Sequence, residues 1–237
     1  MTALIAAIIF FSAFQQSLSG FGFALIAMPL LVQLLGIQAA APLVAVLALI
    51  LNIINGIRWR DALDFTEIKR LGVWMALGVP LGIWGIFALD ESIVKAGLGI
   101  LLTAYALFAL LKPEKLPTIS RHWAYPAGFF AGLLGGAYNT AGPPLILYGS
   151  LRNWSNQRFR AVLQSLFGFS ASIVVLGHIF TGHYTQPVLR WVAFSLPGLL
   201  IAVLAGAFLD QRIKPEQLKT WITIVTLLMG LSLLIPR

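Results

Sequence analysis

Phe10-Phe11-Ser12-Ala13-Phe14-Gln15-Gln16-Ser17-Leu18-Ser19-Gly20-Phe21-Gly22 interrupts a long apolar stretch with amides, hydroxyls and glycines. A second interruption reads Phe129-Phe130-Ala131-Gly132-Leu133-Leu134-Gly135-Gly136-Ala137-Tyr138-Asn139-Thr140-Ala141-Gly142-Pro143-Pro144, about 120 residues later. In lipid, a broken backbone leaves amides and carbonyls unpaired at several kcal/mol each. It persists only where it is buried in protein or lines a cavity. Two such breaks at corresponding places in two halves are the sequence mark of a transporter binding site.

The surrounding composition fixes the solvent. Of 237 residues, 59% are hydrophobic and 10% charged, with a mean hydropathy of +0.90. A soluble domain carries about a quarter charged residues. The first ionic side chain is Arg58. The apolar runs far exceed the roughly 10-residue strands of a membrane barrel, so the chain reads as an all-α integral membrane protein. No basic start precedes the apolar residues 2–11, so the N-terminus is expected to be retained rather than cleaved as a signal. The excess of 16 Lys and Arg over 8 Asp and Glu is read as loop charge facing the cytoplasm and anionic lipid, not as a nucleic-acid surface. Cysteine is absent, which excludes disulfides, thiolate metal sites and thiol nucleophiles.

Apolar segments fall at 2–36, 39–57, 70–89, 93–111, 123–150, 161–180, 188–209 and 218–235, the first and fifth carrying the breaks. Phe10-Phe11 recurs as Phe129-Phe130, Gly22 as Gly142, Pro80 as Pro197 and Leu89-Asp90 as Leu209-Asp210. This constant order points to a duplicated unit: a first membrane repeat at 1–111, a linker at 112–122 and a second repeat at 123–237.

Charge decides how the broken segments sit. Each flank of the first break is about 15 residues, short of the roughly 20 that span a bilayer. If both broken segments are re-entrant hairpins, thirteen of the 16 basic residues face the cytoplasm, leaving Lys95, Arg190 and Arg237 outside. If each crosses once, only nine do: Arg58, Arg60, Lys69, Arg70, Lys112, Lys115, Arg121, Arg190 and Arg237. The hairpin arrangement is therefore expected: two four-segment repeats in inverted topology, each with a broken re-entrant hairpin plus three transmembrane helices. Both termini then lie outside the cytoplasmic membrane, and the breaks meet from opposite faces.

The residues at the breaks suit an anion. Gly20 and Gly22 permit backbone conformations that other residues resist. Gln15, Gln16, Ser17 and Ser19 supply hydrogen-bonding groups, and a half-helix starting near Phe23 aims its free amides at the break. Asn139, Thr140 and Gly142 are the counterparts, with Pro143 suited to the first turn of the next half-helix. Two helix starts facing one cavity form an anion site. Any one of these glycines or hydroxyls is better explained by helix packing; the two breaks together favour a site. Asn52 and Asn55, one turn apart, and Gln164 on the matching helix either line the pathway or bond between helices. Arg58, Arg152, Arg158 and Arg160 are read first as topology determinants, with anion gathering at an inner vestibule as the alternative.

All eight carboxylates fall in loops or at segment ends, so no mid-membrane proton switch is evident. His178 and His183 read as interfacial. An anion leaving a negative interior gains about 2.3 kcal/mol per charge per 100 mV without any coupling ion. An intramembrane enzyme would need Ser19 as nucleophile and His178 as base, yet no Gly-x-Ser-x-Gly, HExxH or buried aspartate accompanies them. No catalytic residue, metal or cofactor is expected. A passive scaffold would not need two matched breaks. The reading admits a homo-oligomer.

The chain resembles the TauE/SafE sulfite exporter family over nearly its whole length. The likeness rests on Ser19-Gly20-Phe21-Gly22 with Pro29, on Gly135-Gly136 through Ala141-Gly142-Pro143-Pro144-Leu145, and on Arg158-Phe159-Arg160-Ala161. Gln15 and Gln16 stand where the family often has small residues. The resemblance implies transport of sulfite, a sulfonate such as sulfoacetate, or a related small organic anion across a prokaryotic cytoplasmic membrane.

Because the chain is naturally free of cysteine, its topology has a direct test. Ser120→Cys and Asn156→Cys are both expected to react with an impermeant thiol reagent from the cytoplasmic face. Reaction of Asn156→Cys from outside alone would make the two halves parallel.

Overall fold

The computed structural model describes residues 1–111, 117–210 and 215–235. Residues 112–116 of the expected linker lie outside the described residues, as do Arg212, Lys214 and Arg237 and the side chain of Lys219.

Glycine and asparagine in left-handed backbone cut the first and fifth apolar segments. α1 (Thr2–Ser19) stops at Gly20, φ 86°, and Gly22, φ 109°, starts α2 (Phe23–Leu35). Gly36, φ 77°, then turns the chain into α3 (Ile37–Arg58). In the second half α6 (Ala124–Tyr138) stops at Asn139, φ 53°, and α7 (Gly142–Leu151) begins on Gly142-Pro143-Pro144. An L-residue adopts such φ values at a cost that glycine escapes and asparagine tolerates.

The remaining helices are α4 (Phe65–Ala88), α5 (Glu91–Leu111), α8 (Asn156–Phe180), α9 (Gln186–Leu209) and α10 (Pro215–Leu234). Two begin earlier than their apolar cores. Asp64 accepts the Glu67 amide at 3.0 Å, which starts α4 at Phe65 rather than near 70. Ser155 caps α8, which places Arg158 and Arg160 in its first turns rather than in a loop. Hydropathy reports only the apolar depth of a helix; the cap sets its end. Among the described residues α1, α3, α4, α5, α8 and α9 are long and apolar enough to cross a membrane. Large apolar side chains such as Trp84, Phe180 and Leu204 stand exposed on the outside of the bundle.

Both broken segments double back. Ile37 at the end of the α2 turn donates to Glu91 at the start of α5 (3.3 Å), whereas Leu18 near the end of α1 accepts from Arg160, which is paired with Asp210. α3 runs from Ile37 to Arg58, which also binds Asp210. Thus α2 returns the chain from the Asp210 end to the Glu91 end. α7 likewise returns beside the start of α6: the Ile119 amide donates to the Leu151 carbonyl at 3.2 Å, and Arg152 donates to the Ile119 carbonyl at 2.9 Å.

Packing across the halves is reciprocal. α1 lies on α9 and α4 on α6, while α3 lies on α8 and α5 on α10. Glycines set the closest approaches. A Cβ at Gly128, Gly132 or Gly136 would sit 2.3, 2.2 or 2.1 Å from the carbonyls of Leu71, Met75 and Val79, so α4 and α6 run parallel. Asn52 faces Gly168 and Gln164 faces Gly56, so α3 and α8 run antiparallel. Gly99 against Leu234, with Thr103 against Gly230, makes α5 and α10 antiparallel as well. Small residues every fourth position let backbones touch where no hydrophobic drive operates between helices in lipid.

Gly132→Ala puts a methyl into the Met75 backbone, whereas Gly85 has no atom within 4 Å of an added Cβ. Gly132→Ala is expected to cost about 2 kcal/mol or more through overpacking. Gly85→Ala is expected to be neutral or to stabilise by about 0.5–1 kcal/mol through helix propensity. Thermal unfolding in detergent compares the two directly.

Candidate functional site

The two breaks come together. A cavity of about 40 Å³ is lined by Gln16, Gly22 and Phe23 from the first break, Asn139, Thr140 and Gly142 from the second, and Asn52 and Ser170 from α3 and α8. By this measure one water needs roughly 10–15 Å³, so the space suits a few waters or one ion of few atoms.

The first break is held by side-chain amides. Gln16 Nε2 donates to Asn52 Oδ1 at 2.7 Å, and Gln16 Oε1 accepts the Phe23 amide at 2.9 Å. The same glutamine therefore satisfies the first free N–H of α2 and fixes Asn52. Gln164 Nε2 donates to the Gly20 carbonyl at 2.7 Å, from α8. Gln15 Nε2 donates to Ser19 Oγ (2.6 Å) and to the Phe21 carbonyl (2.9 Å), and Ser19 Oγ donates to the Phe21 carbonyl at 2.6 Å. The Gly20 and Phe21 carbonyls and the Phe23 amide are thus paired within the protein, as burial demands.

The second break is built differently. Asn139 Nδ2 donates to the Ala41 carbonyl of α3 at 2.9 Å, and Thr140 Oγ1 donates to the Tyr138 carbonyl at 2.9 Å. The Thr140 amide closes back on the Leu134 carbonyl at 3.2 Å. Pro143 and Pro144 carry no N–H, so the start of α7 offers fewer amides than the start of α2, where Ala24 and Leu25 line the cavity. Donors for an anion are therefore concentrated on the first-break side.

Of the residues singled out from the sequence, Gln16, Gly22, Asn52, Asn139, Thr140 and Gly142 line the cavity. Gln15, Ser19, Gly20 and Gln164 stand behind it and shape the first turn. Ser17 packs instead against Gly206 of α9. Asn55 is buried with its Nδ2 unpaired and does not line the cavity. Pro143 faces an apolar cleft on the other side of the break. Ser170, Phe167 and Ala171 complete the lining from α8. The serine is visible in the sequence as a polar residue on an apolar helix, but Phe167 and Ala171 carry no such signal.

No ionised side chain lines the cavity, and among the described residues no group of three His, Asp or Glu could hold a metal. Neutral amides and helix starts stabilise an anion without a fixed cation. Two of the larger clefts, about 560 and 630 Å³, are almost wholly apolar and open between helices, whereas one of about 490 Å³ is lined by Gln33, Glu91, Lys95 and Ser232 and touches neither break. His178, two residues from the end of α8, is buried within the protein, with Nδ1 3.2 Å from His183 Nδ1.

The arginines gather at the end of the bundle below the first break. Asp210 is gripped by Arg160 through two bonds of 2.7 and 3.0 Å and by Arg58 at 2.9 Å. Both guanidinium groups lie over Trp59. Arg152 and Arg158 serve other contacts: Arg152 ties α7 to Ile119, and Arg158 pairs with Asp64.

Comparison with known proteins is consistent with this architecture. Residues 5–233 match the family described as "Sulfite exporter TauE/SafE". A curated relative from Cupriavidus necator, named "Probable sulfite/organosulfonate exporter TauE", is 25% identical over 229 residues, covering 93% of this chain and 89% of the relative. Among solved structures none matches. The family is one of transporters rather than enzymes, and with a match over almost its entire length this chain belongs to the TauE/SafE sulfite exporter family.

Proposed function

We propose that this protein is a secondary transporter moving a small anion, sulfite or a sulfonate such as sulfoacetate, across the cytoplasmic membrane by alternating access. The observation that carries it is the joint lining of one small, partly polar cavity by both breaks in a chain of this family. Gln16 and Asn52, with Ala24 and Leu25 amides at the start of α2, would take the anion; Asn139, Thr140 and Gly142 would close over it from the other side.

The helix directions support two repeats, 1–111 and 123–237, in inverted topology. Two elements of a duplicated unit that pair with each other run parallel when the symmetry axis follows the helices and antiparallel when it crosses them. α3 with α8 and α5 with α10 are both antiparallel. The doubling back of α1–α2 and of α6–α7 supports re-entrant hairpins, which keep most basic residues on the cytoplasmic side and both termini outside.

Liposomes containing the purified protein are expected to pass sulfite, and a panel of sulfonates and carboxylates ranks the substrates. Gly142→Leu is the informative variant, because no atom lies within 3.3 Å of an added Cβ there and its φ is ordinary. It should cut flux about tenfold or more, equivalent to 1.4 kcal/mol, while inserting normally. Gly22→Leu should do the same with an added loss of stability from its φ of 109°. Undiminished flux in both variants removes the site from this cavity. A scaffold passes none of the anions, and an enzyme returns an altered product.

A further inference from the structure

The Arg58–Asp210–Arg160 cluster pairs two guanidinium groups with one carboxylate, leaving one positive charge in excess. Asp210 and Arg160 are almost wholly enclosed, with side chains 9% and 11% exposed. Arg58 Nη1 is buried and makes no hydrogen bond. Planar guanidinium forks of this kind match the oxygens of a carboxylate, sulfonate or similar oxyanion. The cluster is also wired to the candidate cavity. Arg160 Nη2 donates to the Leu18 carbonyl at 3.0 Å, and its stem would meet a Cβ on Gly20 at 2.9 Å. One helical turn on, Gln164 holds the Gly20 carbonyl. The tip of the first hairpin therefore rests on α8 through Arg160 and Gln164, and Asp210 fixes that arginine from the end of α9.

We propose that Arg58 and Arg160 form an oxyanion-binding site at the basic end of the bundle, occupied in this conformation by the carboxylate of Asp210. An anion arriving from that end displaces Asp210, shifts Arg160 and frees the first hairpin tip from Leu18 to Gly22. This deepens the transport reading above by assigning a first contact for the same anion, separate from the central cavity. The tip of the second hairpin has no such ionic hold: Asn139 anchors it through one hydrogen bond to Ala41.

The test is a titration of purified protein with sodium sulfite at constant ionic strength, following thermal unfolding, because a ligand that binds the folded state raises its apparent stability. Asp210→Asn removes the internal competitor. The sulfite concentration giving half the stabilisation should fall about tenfold, as for a site that the carboxylate fills about nine-tenths of the time. Arg160→Gln and Arg58→Gln should move it in the opposite direction by a similar factor. Arg58→Gln leaves the Asp210–Arg160 pair whole, so it answers even if Asp210→Asn fails to fold. A purely structural latch would shift aspartate and arginine variants the same way, and that outcome, or no change in Arg58→Gln, overturns the proposal. Sulfite flux with no such opposed shifts overturns this site alone. Opposed shifts in a protein that carries no anion overturn the transport reading and keep the site.

Discussion

Everything in this bundle depends on pairing the backbone that the first break exposes. A chain that stops a helix at Gly20 and restarts it at Phe23 inside an apolar body leaves carbonyls of α1 and amides of α2 without helical partners. Three residues from outside the turn supply them: Arg160 for the Leu18 carbonyl, Gln164 for the Gly20 carbonyl and Gln16 for the Phe23 amide. Two of the three come from α8, in the other half of the chain. The break is therefore stable only when the halves are joined, which ties the existence of the cavity to the packing of α3 on α8.

A second seam between the halves, α4 on α6, rests on the absence of side chains. The carbonyls of Leu71, Met75 and Val79 lie where Cβ atoms of Gly128, Gly132 and Gly136 would be. Such proximity brings Cα–H groups to carbonyl oxygens and gives each contact about 0.5–1 kcal/mol. It also makes α4 and α6 one body. Because α6 is joined to α7 across the second break, a displacement of that pair as a whole would carry α4 with it. Tyr148 of α7 strengthens the link by donating to the buried Glu67 of α4 at 2.8 Å.

Much of this was legible in the sequence because lipid punishes broken helices so severely. A single glycine or hydroxyl in an apolar segment has a packing explanation, but glycines, prolines and amides clustered at two matched places mark broken helices, and the helical class and the family likeness are read with them. Which of those residues face the cavity did not follow. Gln15, Gln16, Ser17 and Ser19 are nearly consecutive, and at 100° per residue they spread over about 200° of α1, more than one face. Packing alone sends Ser17 toward Gly206 and Gln16 toward Asn52. The Arg58–Asp210–Arg160 cluster was illegible for a related reason. Basic residues at helix ends are explained by topology without any partner, and Asp210 lies 50 residues from Arg160 along the chain. Burial of a charge at a segment end leaves no periodic trace.

The two breaks are thus unequal in a way that bears on how an anion would pass between them. The first offers α2 amides and a network of glutamines, and it is backed by an ionic cluster of net positive charge. The second has two prolines where amides would stand and spends its asparagine on the Ala41 carbonyl. In the transport reading proposed above, an anion in the cavity would be drawn toward the first break, with the second serving mainly as a wall. That wall is thin: Gly142 lines the polar cavity while Pro143 and Pro144 line an apolar cleft of about 560 Å³ beside it. A cavity of about 40 Å³ has room for an ion of few atoms, whereas a sulfonate with a carbon chain would need more. The space nearest to hand lies behind those prolines. Substrate size would then be set by how far α6 and α7 yield into the cleft, and charge preference by the glutamines and arginines on the opposite side.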